Sequence, residues 1–164
     1  MNIKEDLQKG REGEDQVINM LKSIGIDSGY NENKKTLKYW DIECSGKNRQ
    51  FKVEVKNDLM AEKTGNLAIE VCNPRSGKET GISVTKSDIW VHIVGQTLWG
   101  CNTNRLKNFV SNNKPVREVK YAGDGNATIY LYEASKILDK IFTRLENLSK
   151  NELETAIKKL ILNQ

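Results

Sequence analysis

The chain has little that would bind soft or transition metals. Its 164 residues hold one histidine, His92, and three widely spaced cysteines, Cys44, Cys72 and Cys101. No Cys/His group has zinc-finger spacing, and an odd, scattered set of cysteines suits reduced thiols in a cytoplasmic compartment better than a disulfide framework. No apolar run approaches the roughly 20 residues of a membrane span. The opening stretch MNIKEDLQKG is polar and lacks the apolar centre of a signal peptide. Internal repeats and low-complexity tracts are also missing. What remains is 37% hydrophobic and 29% charged residues. That composition fits one globular domain over 1–164, with a core at about 7–133 and a helical C-terminal segment at about 135–162.

The net charge is only +4, but it is unevenly placed. Between residues 71 and 120 stand eight cations (Arg75, Lys78, Lys86, Arg105, Lys107, Lys114, Arg117 and Lys120) against Glu79, Asp88 and Glu118. That segment is +5 and the rest of the chain −1. A basic middle suits a polyanion partner, and an ordinary solvated surface is the plainer reading.

Hydrophobic periodicity orders the elements. Val17, Ile18, Leu21 and Ile24 form a helical stripe within residues 3–24, stopped by Gly25. GYNENKKTLK reads as a polar loop. YWDIEC, QFKVEVK and NLAIEVC read as three strands, the first two joined by a turn at SGKN. TKSD suggests a short helical turn with Thr85 as cap and Asp88 three residues on. IWVHIV and TLWGC flank Gly95-Gln96, a two-residue hairpin of type II′ composition. TNRLKNFVSNN reads as a helix, and REVKYA and ATIYLYE as strands around GDGN. Ile137, Leu138, Ile141, Leu145 and Leu148 make one helical stripe; Leu153, Ile157 and Leu160 make a second, over about 150–162. The sum is an α/β fold: a mixed central sheet flanked by helices, with further helices at the C-terminus.

Chemistry concentrates in FKVEVKND. As a strand it puts Phe51, Val53 and Val55 on one face and Lys52, Glu54, Lys56 and Asp58 on the other. Lys52 and Asp58 read as solvated. If this strand pairs with YWDIEC, Asp41 falls near Glu54. Two carboxylates so placed disfavour each other's ionisation, and a divalent cation with oxygen preference, Mg²⁺, relieves that. Lys56 on the same face is placed to orient a water or to steady charge on a phosphate. Glu14 shares a helix face with Ile18 and Leu21, at the inward edge of the first helix. Gly10 and Gly13 before it permit close approach of another backbone or a nucleic acid strand.

Glu14 in GREGE, Asp41 in YWDIEC and Glu54-Val55-Lys56 in VEVK together resemble the PD-(D/E)XK nuclease superfamily, over about residues 7–99. The spacing is most similar to small Holliday-junction-resolvase-type and related endonucleases. The residue before Asp41 is Trp40 rather than the proline of the family motif. The resemblance implies a restriction-endonuclease-like core built on a mainly four-stranded mixed sheet. It implies metal-dependent hydrolysis of DNA phosphodiesters that leaves a 5′-phosphate and a 3′-hydroxyl. Asp41, Glu54 and the Val55 carbonyl would hold Mg²⁺, with Mn²⁺ as a substitute. Lys56 would position the attacking water, and Glu14 would complete the metal site or orient Lys56.

Further candidates surround that set. Glu70 is a possible additional carboxylate at the metal edge. Arg75 and Lys78 suit the DNA backbone, and Ser83, Thr85 and Lys86 suit a phosphate held at a helix start. Trp40, Trp90 and Trp99 read as core; His92 is assigned no catalytic role. The partner implied is DNA, duplex or branched, cut by a homodimer, with no membrane involved. A non-catalytic nucleic-acid-binding module on the same fold is the alternative.

Overall fold

The computed structural model describes residues 3–47, 49–123 and 125–162. Asn48 of the expected SGKN turn and Asp124 of GDGN lie outside the described residues. The elements run α1 (Ile3–Ser23), β1 (Asp27–Tyr30), β2 (Ile42–Ser45), β3 (Gln50–Asp58), α2 (Ala61–Thr64), β4 (Asn66–Cys72), a 3₁₀ turn (Gly81–Ser83), β5 (Ile89–Val94) and β6 (Thr97–Asn102). They continue with α3 (Thr103–Asn112), β7 (Arg117–Ala122), β8 (Ala127–Glu133), α4 (Ala134–Ile141), β9 (Thr143–Arg144) and α5 (Lys150–Leu162). Among the described residues no helix is long and apolar enough to cross a membrane.

Six strands form a mixed sheet in the order β1-β2-β3-β5-β6-β9, and three form a second sheet, β4-β8-β7. In the larger sheet only β3 and β5 are parallel neighbours. Alternation along β5 decides the layering. Ile89, Val91 and Ile93 turn to one face, where they meet Val17 and Leu21 of α1 and Leu153, Ile157 and Leu160 of α5. Trp90 turns to the other, where it meets Leu67 and Ile69 of β4, Leu106 of α3 and Ile137 and Leu138 of α4. The mixed α/β architecture read from the sequence is the one observed.

Close approach explains two glycines. Gly13 lets α1 lie on the sheet, since a Cβ there would stand 3.1 Å from Ile93 and 3.2 Å from Asn57. Gly10 has no such neighbour. Gly95, with φ of 61°, takes the first central position of the β5–β6 turn as a type II′ hairpin requires.

Four expectations are corrected. The loop expected at GYNENKKTLK begins inside β1, whose residues pair with β2 from Asp27↔Ser45 to Tyr30↔Ile42. NLAIEVC is a strand, but it leaves the central sheet and pairs with β8. No local signal distinguishes the two destinations, because both bury alternate residues. TKSD is irregular and ends in a bend; the helical turn precedes it at Gly81–Ser83, and Thr85, which accepts the Ser87 N–H at 3.2 Å, caps no helix. The long C-terminal stripe breaks at Phe142, whose backbone is extended at φ −99° and ψ 160°. Thr143–Arg144 then pair with Trp99–Gly100, and the chain passes around the sheet edge. Leu145 therefore packs with α1 and α5, on the face opposite Ile137. Its helical spacing was coincidence, since the crossing replaces a turn of helix.

A backbone contact ties the second sheet to the loop before β5. Gly81 has φ of 53°, and a Cβ on it would lie 2.4 Å from the Glu70 carbonyl oxygen and 2.8 Å from Glu70 Cβ. Gly77 has φ of 68° and nothing within 4 Å. Gly77→Ala should cost only the left-handed strain, about 1 kcal/mol. Gly81→Ala should cost about 2–3 kcal/mol, because backbone must also move. Urea denaturation of both variants checks the difference; equal losses would mean that the contact is easily relieved.

Candidate active site

The site forms where β2 stops and β3 continues. Ile42, the first residue of β2, pairs with Val53. Beyond that point the β2-facing edge of β3 meets Asp41. Its backbone N–H donates to the Val53 carbonyl at 3.0 Å, and its Oδ2 accepts the Val55 N–H at 2.7 Å. A strand residue directs its N–H and C=O to the same side. The Val55 carbonyl therefore faces the Asp41 edge, while Glu54 and Lys56 point out of the sheet on the face opposite Phe51 and Val53.

Burial and like charge hold the carboxyl protons at high pH. Glu54 is pushed up to about 8, first by burial and then by the charge of Asp41, against the pull of Lys56 and a hydrogen bond from Thr85. Asp41 is pushed up to about 6, first by burial; the Val55 N–H and Lys56 oppose this and Glu14 adds to it. Glu14 is also raised by burial, against an ion pair with Arg11 at 3.0 Å. Lys56 Nζ stands 3.7 Å from Glu70 Oε2. The structure thus brings Glu14, Asp41, Glu54, Lys56 and Glu70 into one electrostatic neighbourhood. Among the described residues, however, no three His, Cys, Asp or Glu side chains gather closely enough to hold an ion unaided. The donor set is two hard carboxylates with a backbone carbonyl. That fits Mg²⁺, which keeps several waters and takes only one or two protein carboxylates.

Behind Glu54 lies a chain of hydroxyls that the sequence did not reveal. Thr85 is only 2% exposed. Its Oγ1 is 2.8 Å from the Tyr39 carbonyl, 3.4 Å from Glu54 Oε2 and 3.0 Å from Ser87 Oγ, and Ser87 Oγ is 2.9 Å from Thr103 Oγ1. Lys107 of α3 donates to the Thr85 carbonyl at 2.6 Å, and burial lowers its pKa. Thr85 is therefore an interior support of Glu54; it is neither the helix cap nor the exposed phosphate ligand expected from TKSD. Only the crowding of hydroxyl residues at 83–87 hinted at this.

Asp58 also departs from expectation. It is buried, not solvated. Its Oδ1 accepts the N–H groups of Met60 and Ala61, and its Oδ2 accepts the Ala68 N–H at 2.8 Å and lies 3.1 Å from His92 Nε2. Trp90 Nε1 donates to His92 Nδ1 at 3.3 Å, so Nε2 carries the imidazole proton toward Asp58. Burial lowers the His92 pKa and keeps the ring neutral. Burial alone would raise Asp58, but hydrogen bonds from His92 and the backbone more than offset it, leaving Asp58 ionised. Asp58 thus ties the end of β3 to β4 through the Ala68 N–H and to β5 through His92, two residues beyond Lys56.

The expected phosphate contacts divide. Arg75, Lys78 and Lys86 are exposed. Asn73 Oδ1 orders their loop by accepting the Arg75 and Ser76 N–H groups. Lys86 Nζ lies 4.3 Å over the Tyr39 ring, and Lys52 Nζ 3.6 Å over the Trp40 ring. Ser83 donates its hydroxyl to the Val71 carbonyl at 2.9 Å. No helix start gathers these groups. An open groove of about 720 Å³ at the β1–β2–β3 end is lined by Tyr30, Glu43, Lys52, Lys86 and Asp88 among others, and Glu14, Asp41, Glu54, Lys56 and Glu70 do not line it. All three cysteines are free; burial pushes Cys44 up to about 12 and raises Cys101 well above the ordinary thiol range, so neither is a nucleophile at neutral pH.

No protein-family model and no curated protein matches the chain. Among solved structures, the fold is similar to that of a bacterial homing endonuclease, I-Ssp6803I, with a TM-score of 0.50, 20% identity and 79% of each chain covered. At that identity the likeness is one of fold alone.

Proposed function

We propose that the chain is a Mg²⁺-dependent endonuclease that hydrolyses DNA phosphodiesters at a PD-(D/E)XK-type site. One observation carries this reading. Asp41, just before β2, and Glu54 of β3 share a half-buried place where burial raises both carboxyls and the charge of Asp41 raises Glu54 further, with the Lys56 ammonium beside them. A structural pair so costly is expected where a cation is to be bound. The nuclease-type fold of the solved neighbour agrees with it.

Asp41, Glu54 and the Val55 carbonyl would hold the metal, with Glu14 at its edge. A bound Mg²⁺ would supply Lewis-acid polarisation of the phosphate and a more acidic water. Lys56 orients the attacking water and offsets charge on the phosphate oxygens. Glu70 restrains the Lys56 ammonium at 3.7 Å. Thr85 holds the Glu54 carboxylate, and Lys107 holds Thr85. The exposed cations Arg75, Lys78 and Lys86 contact phosphates and set affinity rather than chemistry.

Asp41→Asn, Glu54→Gln and Lys56→Ala should each reduce cleavage of duplex or branched DNA by at least about a thousandfold while leaving DNA binding nearly unchanged. Cleavage assays in Mg²⁺, with binding measured in Ca²⁺, check this. Near wild-type cleavage by any of the three would remove that residue from the site.

Stability should record the same carboxylates. Their folded pKa values, about 6 and about 8, lie above the ordinary 3.8 and 4.5. The stability they contribute is therefore complete below pH ~4 and is lost as pH rises through those values. Glu54→Gln should flatten that loss and gain on the order of 1 kcal/mol above pH 8. Mg²⁺ should raise the wild-type melting temperature most at high pH, where it does not compete with protons, and should leave Glu54→Gln almost unmoved. A variant that still responds fully to Mg²⁺ would locate the ion elsewhere.

Lys78→Ala and Lys86→Ala should weaken binding alike on all sequences. Each should lower the slope of log affinity against log salt by about one unit. Unchanged slopes in both would take this loop off the DNA path.

A further inference from the structure

We propose that Lys38 and Lys86, gathered on the ring of Tyr39, seat a backbone phosphate of the DNA beside the Asp41–Glu54 pair, and that the loop of residues 31–40 is the surface the strand follows. This rests on the nuclease reading above and fixes the side of the site on which the strand lies.

Hydrogen bonds build this loop from within. Asn31 is only 3% exposed. Its backbone N–H donates to the Asp41 carbonyl at 2.7 Å and its Nδ2 to the Trp40 carbonyl at 2.9 Å, so the two ends of the loop are joined. Its Oδ1 accepts the Asn33 N–H and the Thr36 hydroxyl, both at 3.1 Å. The Tyr39 N–H donates to the Thr36 carbonyl at 2.8 Å. The Tyr39 carbonyl accepts the Lys86 N–H at 3.0 Å, beside its hydrogen bond from Thr85. One backbone hydrogen bond therefore sets Lys86 next to Tyr39. Thr85 reaches from the same carbonyl to Glu54, so a single threonine separates this junction from the carboxylate pair.

Charge selects the occupant. The loop has three cations, Lys34, Lys35 and Lys38, and one acid, Glu32. Lys38 Nζ lies 4.8 Å and Lys86 Nζ 4.3 Å from the centre of the Tyr39 ring. Among the described residues, none of Lys34, Lys35, Lys38 and Lys86 is within ion-pair distance of a carboxylate, and all four are exposed. An aromatic ring orients an ammonium without neutralising it, so two like charges meet at one ring and repel. An oxyanion beside them removes that cost, as a cation does for Asp41 and Glu54. One ligand suits both places. A nucleic acid strand has a phosphate at every nucleotide, so a strand whose scissile phosphate meets the metal offers a neighbouring one to Lys38 and Lys86. Tyr39 acts through the two lysines and is a positioning residue.

The test measures affinity for a labelled duplex in Ca²⁺ over a salt series. The full chain is compared with Lys38→Ala, Tyr39→Phe, Tyr39→Leu and a control, Lys158→Ala, whose helix α5 packs on the opposite face of the larger sheet. Lys38→Ala should bind several-fold more weakly, with the slope of log affinity against log salt lower by about one unit, and Lys158→Ala should change neither. Tyr39→Phe keeps the ring and should match wild type. Tyr39→Leu should weaken binding several-fold in the wild-type chain and cost nothing further in Lys38→Ala/Lys86→Ala, where no ammonium is left to orient. Single neutral methylphosphonates placed along a duplex that the chain cleaves in Mg²⁺ should reveal one phosphate near the cut whose replacement weakens wild type but not Lys38→Ala. A slope or a methylphosphonate profile unaltered by Lys38→Ala overturns the phosphate seat, and cleavage in Mg²⁺ then leaves the nuclease reading standing. A slope lost in Lys38→Ala, with no duplex or four-way junction ever cut, supports the seat and overturns the nuclease. An equal cost of Tyr39→Leu with and without the two lysines assigns the ring to packing and overturns its part in the seat.

Discussion

Asp41 completes the edge of β3 where β2 has ended. Its N–H donates to Val53 and its carboxylate accepts from Val55, so one residue serves as both the last rung of a ladder and the first group of the site. That constraint fixes the Asp41 side chain against backbone. It also leaves Glu54, next along β3, on the open face with Lys56. The Asp41 carboxylate cannot turn away from the Glu54 carboxylate without losing its Val55 hydrogen bond. Their protons consequently sit near neutrality, a cost that the remaining packing must offset.

Support for this pair comes from elements distant in sequence. The α1 helix reaches β3 through Gly13, where even a methyl group would crowd Asn57 and Ile93, and so brings Glu14 to bear on Asp41. Asp58, hydrogen-bonded to His92 of β5, anchors the end of β3 to β4 through the Ala68 N–H, and β4 carries Glu70 to Lys56. Gly81 lets the following loop press against Glu70, and that loop carries Thr85 beneath Glu54. The Asp58 contacts are short and buried, whereas Thr85 reaches Glu54 at 3.4 Å and Lys56 reaches Glu70 at 3.7 Å. The lower local dielectric makes both their satisfaction and their loss more consequential than at an open surface.

The two apolar layers hold the larger sheet from both sides and leave a groove along its β1–β2–β3 end, lined by Glu43 and Lys52. The smaller sheet stands beside that opening with one face in the core and the other unburied.

Local pattern made much of this legible. Period-two alternation placed Glu54 and Lys56 on one face, a short connection made β2 and β3 antiparallel neighbours, and helical spacing set Glu14 beside Ile18. These inferences need only the strand and helix repeats, which act over a few residues. The sheet joined by β4, the crossing at Phe142 that sends Leu145 to the opposite layer, and the burial of Thr85 and Asp58 were decided by tertiary structure. An alternating strand pairs equally well with either sheet. A leucine at helical spacing is buried equally well on either side of a sheet. A threonine or aspartate becomes interior only when partners from other elements satisfy it. Local sequence determined which side chains share a face; long-range packing alone determined which faces meet.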